Sequence, residues 1–232
     1  MTAIVIIPAL TQLLLPLLLV AWVAFGRHPY RGRWWLMIAL AWTWIAAIGV
    51  AGMWLALPWY LYLVYAALLA AAMVATWRRE VDLPFWPRSA RSRIGAVLLA
   101  ALVLGAGAIV MYAIDGRRAP SAGVEASFPL RGGTYLIVNG GRNSLISAHV
   151  ATLRDEARYR PWRGQSYGLD IVKLGTAGLR APGFLPQEKL AASINAARKA
   201  KPDGIAIFAA GSLDREKLWQ VLEREFKTEA AR

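Results

Sequence analysis

Residues 94–112, IGAVLLAALVLGAGAIVMY, contain no charged side chain and are long enough to cross the hydrocarbon core of a bilayer as one helix. Three further apolar stretches precede them, at residues 4–25, 34–57 and 59–77. Pro8, Pro16 and Pro58 interrupt or bound these stretches, which a membrane helix tolerates because neighbouring helices can satisfy the freed carbonyl groups. The sequence therefore predicts a membrane α-helical bundle with four transmembrane helices within residues 1–114.

Charge separates this bundle from the rest of the chain. Residues 1–114 carry ten charged side chains, whereas residues 115–232 carry nineteen Lys and Arg and twelve Asp and Glu. Residues 115–127 are rich in turn-forming residues and are predicted to be a linker. The second half is predicted to be a small extracytoplasmic domain with β-strands and two C-terminal helices.

The net charge of +13 raises the question of an anionic partner. Nucleic-acid binding requires a basic face with stacking aromatic rings, but the aromatic residues here are concentrated in the apolar half. Basic loops beside a membrane have a simpler cause, so the bilayer is predicted as the partner and nucleic acid is not. The absence of cysteine excludes disulfides, Cys-ligated zinc and thiol catalysis.

The arginines of the apolar half predict its orientation. They occur in the connector after the first span and in the connector after the third, at positions 27, 31, 33, 78, 79, 88, 91 and 93. Short connectors rich in Arg stay on the cytoplasmic side of a membrane. We therefore expect the N-terminus and the C-terminal domain to lie outside the cytoplasm.

The side chains inside and beside the spans carry further information. No Asp, Glu, Lys, Arg or His lies within the four stretches, so the residues that transporters and channels usually need are missing. Aromatic rings cluster near the predicted span ends, where they are predicted to anchor the helices at the level of the lipid headgroups. They are Trp34, Trp35, Trp54, Trp59, Tyr60, Trp77, Phe85 and Trp86.

The polar half shows patterns typical of strands and helices. Residues 134–138 form a β-branched and aromatic run that predicts a strand, and Asn139-Gly140-Gly141 predicts a hairpin or turn after it. Residues 168–174 predict a second strand. Beyond residue 186, the sequence predicts a tail with a helix at 187–200, a strand at 205–209 and a helix at about 213–226.

Residues 128–186 resemble the opening part of the catalytic domain of membrane-anchored lysostaphin-like zinc metallopeptidases, which cut peptidoglycan cross-links. The likeness rests on residues 128–135 (FPLRGGTY), 139–141 (NGG), Ala148-His149 and, above all, residues 163–172 (RGQSYGLDIV). It implies a β-rich domain on the periplasmic side of a bacterial inner membrane, with peptidoglycan or a periplasmic protein as its partner.

The resemblance also implies a zinc site. In that family a His-x-x-x-Asp pair and a later His-x-His supply the ligands and a general base. Asp170 stands at the position of the ligand Asp, Ser166 stands where the family has His, and His149 is the histidine that could reach the same metal. Arg163, Ser166 and Tyr167 would contact the bound peptide. The later His-x-His is missing from this sequence, so a truncated or catalytically degenerate relative is expected.

Two functional classes stay open. In the first, the chain is a peptidoglycan endopeptidase with His149 and Asp170 as zinc ligands and water as the nucleophile. In the second, it is a membrane-anchored binding or scaffold module that attracts anionic groups through Arg142, Arg154, Arg158, Arg160 and Arg163. Simpler roles remain for both ligand candidates, since His149 could be structural and Asp170 could face water or pair with Arg163.

Overall fold

The structure is a computed structural model, and it describes residues 6–52, 54, 57–118, 133–160, 166 and 168–179. The predicted tail at 187–232, the linker residues 119–127 and the site candidates Arg163 and Tyr167 lie outside the described residues.

Four long apolar helices confirm the prediction from composition. They are α1 (Ile6–Phe25), α2 (Arg31–Ala51), α3 (Leu61–Glu80) and α4 (Ala90–Arg117), each long and apolar enough to cross a membrane. Within α1, residues Ala9–Leu14 are π-helical. Pro16 has no N–H to donate to the carbonyl of Gln12, which is a physical reason for the wider turn at this point.

Two helices, α2 and α4, differ from the predicted spans by more than three residues at an end. Helix α2 ends at Ala51 rather than at residue 57, because Gly52 turns into an extended conformation and the ring of Trp54 folds against it. Helix α4 begins four residues earlier and ends five residues later than the predicted span. The Ser89 hydroxyl accepts a hydrogen bond from the N–H of Ser92 at 3.1 Å and caps its start, and Asp115, Gly116 and Arg117 of the predicted linker are helical.

Helix α2 lies at the centre of the bundle and packs against the other three helices, while α1 also packs against α3. Trp34, Ala41 and Ile45 of α2 are buried together with Tyr65 and Leu69 of α3. Helix α4 has the highest mean hydropathy of the four, yet only 6% of its most apolar window is buried. Its apolar side chains point outward, as expected for a helix surrounded by lipid.

Trp34 and Trp54 correct the prediction that the aromatic residues at the span ends anchor the helices in the headgroup layer. Both are buried inside the protein, whereas Trp86 is 75% exposed. The indole N–H of Trp34 donates to the Thr76 hydroxyl at 3.2 Å, and its ring lies against those of Trp35 and Trp77. A ring near a helix end can face the bundle as well as the lipid, and sequence position alone does not distinguish the two.

The polar half contains an antiparallel two-stranded sheet. Strand β1 (Thr134–Asn139) pairs with β2 (Asp170–Leu174), which confirms both predicted strands. The chain turns after β1 at Gly140 and Gly141, both with positive φ, but it reaches β2 only after a long connection rather than through a tight hairpin. A bulge between Ile137 and Asn139 places Asn139 opposite Asp170 at the end of the sheet.

The sheet and the two arginine-rich connectors lie at opposite ends of the bundle. At one end, the Arg79 guanidinium donates to the Gly26 carbonyl at 3.0 Å, and the backbone N–H of Arg31 donates to the Pro84 carbonyl. At the other end, the Asn143 amide, in the segment after β1, donates to the Tyr112 carbonyl of α4 at 2.6 Å. The two connectors that carry the arginines therefore lie at the same end of the bundle.

A buried polar group lies between those two connectors. Glu80 is 1% exposed and accepts a hydrogen bond from Arg79 at 2.7 Å. His28 is also buried, and this loss of water lowers its pKa below 6.5, an effect that Glu80 opposes and that Arg33 and Arg79 assist. The lowered pKa favours the neutral form of His28, and the Arg79 guanidinium is the ion-pair partner of Glu80.

Candidate functional site

The candidate site is built at the end of the sheet where Asn139 and Asp170 face each other. The Asn139 amide donates to Asp170 Oδ2 at 2.8 Å. The amide oxygen of Asn139 accepts a hydrogen bond from the backbone N–H of Ala148 at 2.9 Å. Asn139 therefore joins the first residue of β2 to the start of the 3₁₀ helix Ala148–Leu153, which carries His149.

The structure brings the two predicted metal ligands together. His149 Nε2 lies 3.2 Å from Asp170 Oδ1, although the two residues are 21 positions apart in the sequence. Both side chains remain accessible to solvent, His149 at 25% and Asp170 at 49%. Asp170 thus contacts His149 through one carboxylate oxygen and Asn139 through the other.

Ser166 supports this pair indirectly, through Thr152. It is 2% exposed, and its hydroxyl lies 2.7 Å from that of Thr152. The Thr152 hydroxyl in turn donates to the backbone carbonyl of His149 at 2.7 Å. Ser166 is therefore linked to the backbone turn that holds His149. The structure describes no geometry for the other two predicted binding residues, Arg163 and Tyr167.

Asn139 and Thr152 are site residues that sequence reasoning missed. Asn139 was assigned to the turn signal Asn-Gly-Gly, and only the pairing of β1 with β2 shows its side chain beside Asp170. Thr152 follows His149 by three residues, a spacing that brings a hydroxyl back to a carbonyl within one helical turn.

The donor types at this site fit zinc, because imidazole nitrogen and carboxylate oxygen are both common zinc ligands. Two atoms that each lie about 2.0 Å from one tetrahedral ion are about 3.3 Å apart, close to the distance between His149 and Asp170. Zinc sites in enzymes usually have three protein ligands, however. Among the described residues, no group of three or more His, Cys, Asp or Glu side chains converges.

The basic surface predicted around the site is partly neutralised. Arg142 contacts Asp115 at 2.6 Å, Arg158 contacts Glu156 at 2.7 Å, and Arg160 lies 3.8 Å from Asp155. Three of the five arginines proposed to attract anionic groups thus have a carboxylate neighbour, which weakens the attraction that each can exert.

The fold defines a class of protein: a helical protein with four helices that could span a membrane and a small two-stranded sheet at one end of the bundle. Comparisons of the chain with models of protein families, with curated proteins and with solved structures found no match. The resemblance to lysostaphin-like peptidases therefore stays a prediction that rests on the residues quoted above.

Proposed function

We propose that the chain is a multi-pass protein of the bacterial inner membrane whose periplasmic domain acts on peptidoglycan as a relative of the lysostaphin-like metallopeptidases. The observation that carries this proposal is the approach of His149 Nε2 to Asp170 Oδ1 within 3.2 Å. The resemblance to that family, which rests on the sequence alone, implies the same two residues as metal ligands.

The proposal assigns a role to each residue of the site. His149 and Asp170 would hold the zinc ion. Asn139 fixes the carboxylate of Asp170 by a hydrogen bond, the kind of support that orients metal ligands and tunes their affinity. Thr152 fixes the turn that carries His149 by donating to its backbone carbonyl. A zinc ion held there would supply Lewis acidity and lower the pKa of a bound water.

A second candidate function is a peptide-binding module without catalysis. It is favoured by the hydrogen bonds at the site, since both oxygens of Asp170 already have partners within the chain. A site whose polar groups are satisfied in this way is stable without a metal ion. The two candidates differ in whether the purified protein retains zinc.

Zinc binding tests the first candidate. We expect the full chain, purified in detergent and dialysed against zinc, to retain about one ion per chain by elemental analysis. His149→Ala and Asp170→Asn should lose the ion, and Asn139→Ala should weaken its binding by about 10–100-fold. Asp155→Asn, which removes a more exposed carboxylate of the same segment, should bind as the wild type does.

Peptide release from purified peptidoglycan should follow the same order among the variants. If the wild type retains no zinc, the metallopeptidase proposal is wrong and the binding module remains. If all five proteins retain equal zinc, the ion lies elsewhere and the assignment of His149 and Asp170 fails.

The eight arginines of the two connectors support the proposed orientation of the chain in the membrane. The orientation can be tested with single introduced cysteines, because the chain has no cysteine of its own. Single cysteines placed at the exposed positions Ala157 and Ala90 sample the two ends of the bundle. In intact spheroplasts, a membrane-impermeant maleimide should label Ala157→Cys but should label Ala90→Cys only after permeabilisation. The reverse pattern would place the sheet in the cytoplasm and rule out a cell-wall role.

A further inference from the structure

A cavity of about 450 Å³ opens at the sheet end of the bundle. Its walls come from α1, α2 and α4, and Leu145 of the segment after β1 lies on one side. The lining is almost entirely apolar, with Ile7, Ala47, Ile48 and Ile109 among its side chains. This volume lies within the range of about 300–1,000 Å³ that small-molecule sites in proteins occupy.

Gln12 supplies a polar group to this apolar cavity. It lines the wall from the π-helical part of α1 and is 5% exposed. Its Oε1 atom has no hydrogen-bond partner in the part of the chain that the structure describes. A buried amide group without a partner is unfavourable, so a ligand that pairs with it would gain affinity. An amide can also turn over and present its NH₂ group as a donor at the same place.

Arg117 supplies a positive charge beside the same cavity. Its guanidinium Nε donates to the carbonyl of Val50 at 2.8 Å, at the end of α2. The next two residues, Ala51 and Gly52, line the cavity, and together with Arg117 they also border a small polar notch next to it. An exposed cation at this position is available to an anionic group.

The contacts of Gln12's neighbour and of Arg117 with α2 show how deep each of these two residues lies in the bundle. The indole N–H of Trp44 donates to the carbonyl of Thr11, the neighbour of Gln12, at 2.9 Å. Trp44 lies six residues before Val50, or about 9 Å along the helix axis. Gln12 therefore lies deeper in the bundle than Arg117, by up to two helical turns.

We propose that this cavity binds one acyl chain of an anionic glycerophospholipid. The apolar walls take the chain, the Gln12 side chain donates a hydrogen bond from its NH₂ group to the ester carbonyl, and Arg117 pairs with the headgroup phosphate. The order from the helix end inward, namely cation, amide and apolar wall, matches the order of phosphate, ester and chain in such a lipid. The proposal does not depend on the zinc site or on the orientation of the bundle.

Native mass spectrometry of the full chain in detergent, titrated with phosphatidylglycerol and phosphatidylcholine, tests the site. We expect one tightly held phosphatidylglycerol and weaker binding of phosphatidylcholine. Gln12→Leu and Arg117→Gln should each weaken phosphatidylglycerol binding by roughly five- to tenfold, the loss of one hydrogen bond or ion pair. Ala47→Trp, which fills the cavity, should abolish it.

Arg93→Gln is the matched control, because it removes one arginine from the opposite end of the bundle and should leave binding unchanged. Thermal unfolding of each variant shows whether it is folded, and Gln12→Leu tests the site even if Ala47→Trp does not fold. Equal binding by the wild type, Gln12→Leu and Arg117→Gln would overturn the proposal. So would a polyprenyl phosphate that binds more tightly than phosphatidylglycerol, since it has no ester for Gln12.

Discussion

Replacing Trp34 by alanine should lower the free energy of unfolding by about 3–5 kcal/mol, the usual cost of removing a large aromatic side chain from a packed interior. Trp34 is 1% exposed, and it contacts Trp35 and Trp77 with ring centroids 4.8 and 5.8 Å away. Its removal leaves a cavity between α2 and α3 and takes away the hydrogen bond that the Thr76 hydroxyl accepts from the indole N–H. Thermal or SDS-induced unfolding in micelles, followed by circular dichroism, measures the effect.

Trp86→Ala is the control for this prediction, because it removes the same side chain from an exposed position. It should cost about 1 kcal/mol or less, mainly through its edge contact with Phe85. Equal losses in the two variants would mean that Trp34 acts as an anchor in the lipid headgroup layer, as its position in the sequence predicted, and not as a core residue.

Replacing Gly116 by valine should loosen the polar segment from α4. A Cβ atom at Gly116 would overlap the Asn143 amide nitrogen, so the present contact could not survive. Asn143 would then lose its 2.6 Å hydrogen bond to the Tyr112 carbonyl, at a cost of about 1–3 kcal/mol. Limited proteolysis in detergent should show faster cleavage within residues 133–160.

Asn143→Ala should produce the same increase in cleavage. The double variant with Gly116→Val should be no more sensitive than either single variant, because both changes remove the same contact. Gly105→Val is the control on the same helix, since a Cβ added there meets no described residue within 4 Å apart from its chain neighbours and the backbone of its own helix. If Gly105→Val increased cleavage as much as Gly116→Val, the cause would be a general loss of helix stability rather than the contact with Asn143.

The prediction for zinc binding and the prediction for Gly116→Val are connected, because both depend on one short segment of the chain. Asn143, Ser147 and His149 belong to the stretch that leads from β1 to the 3₁₀ helix, and the N–H of Ser147 donates to the Asn143 carbonyl at 3.0 Å. The contact of Asn143 with α4 therefore helps to fix the backbone that carries His149. We expect zinc binding to weaken in Gly116→Val if the proposed site is correct.

Several features followed from the sequence alone. Runs of about 20 uncharged residues predicted the four helices, because a helix of that length matches the apolar thickness of a bilayer. The β-branched runs at 134–138 and 168–174 predicted the two strands. The positions of the arginines predicted which two connectors lie together, and the contacts between Arg79 and Gly26 agree with it. The side of the membrane that these connectors face remains a prediction.

The local sequence did not predict structural features that depend on contacts with other parts of the chain. Gly52 ended α2 early although residues 53–57 are apolar, because the Trp54 ring folds back onto the helix end. His149 was proposed as a partner of Asp170 from a resemblance and not from spacing, since 21 intervening residues allow many arrangements.

Composition and charge thus determined the helices, the strands and the division of the chain into an apolar and a polar half. Each of these depends on the free energy of placing a residue in lipid or water, which is a property of the residue itself and of its immediate neighbours. The tertiary structure decided that Trp34 is buried, that Asn139 supports Asp170 and that Gln12 faces a cavity. These facts depend on which faces of separate segments pack together, and no pattern along a single segment specifies that choice.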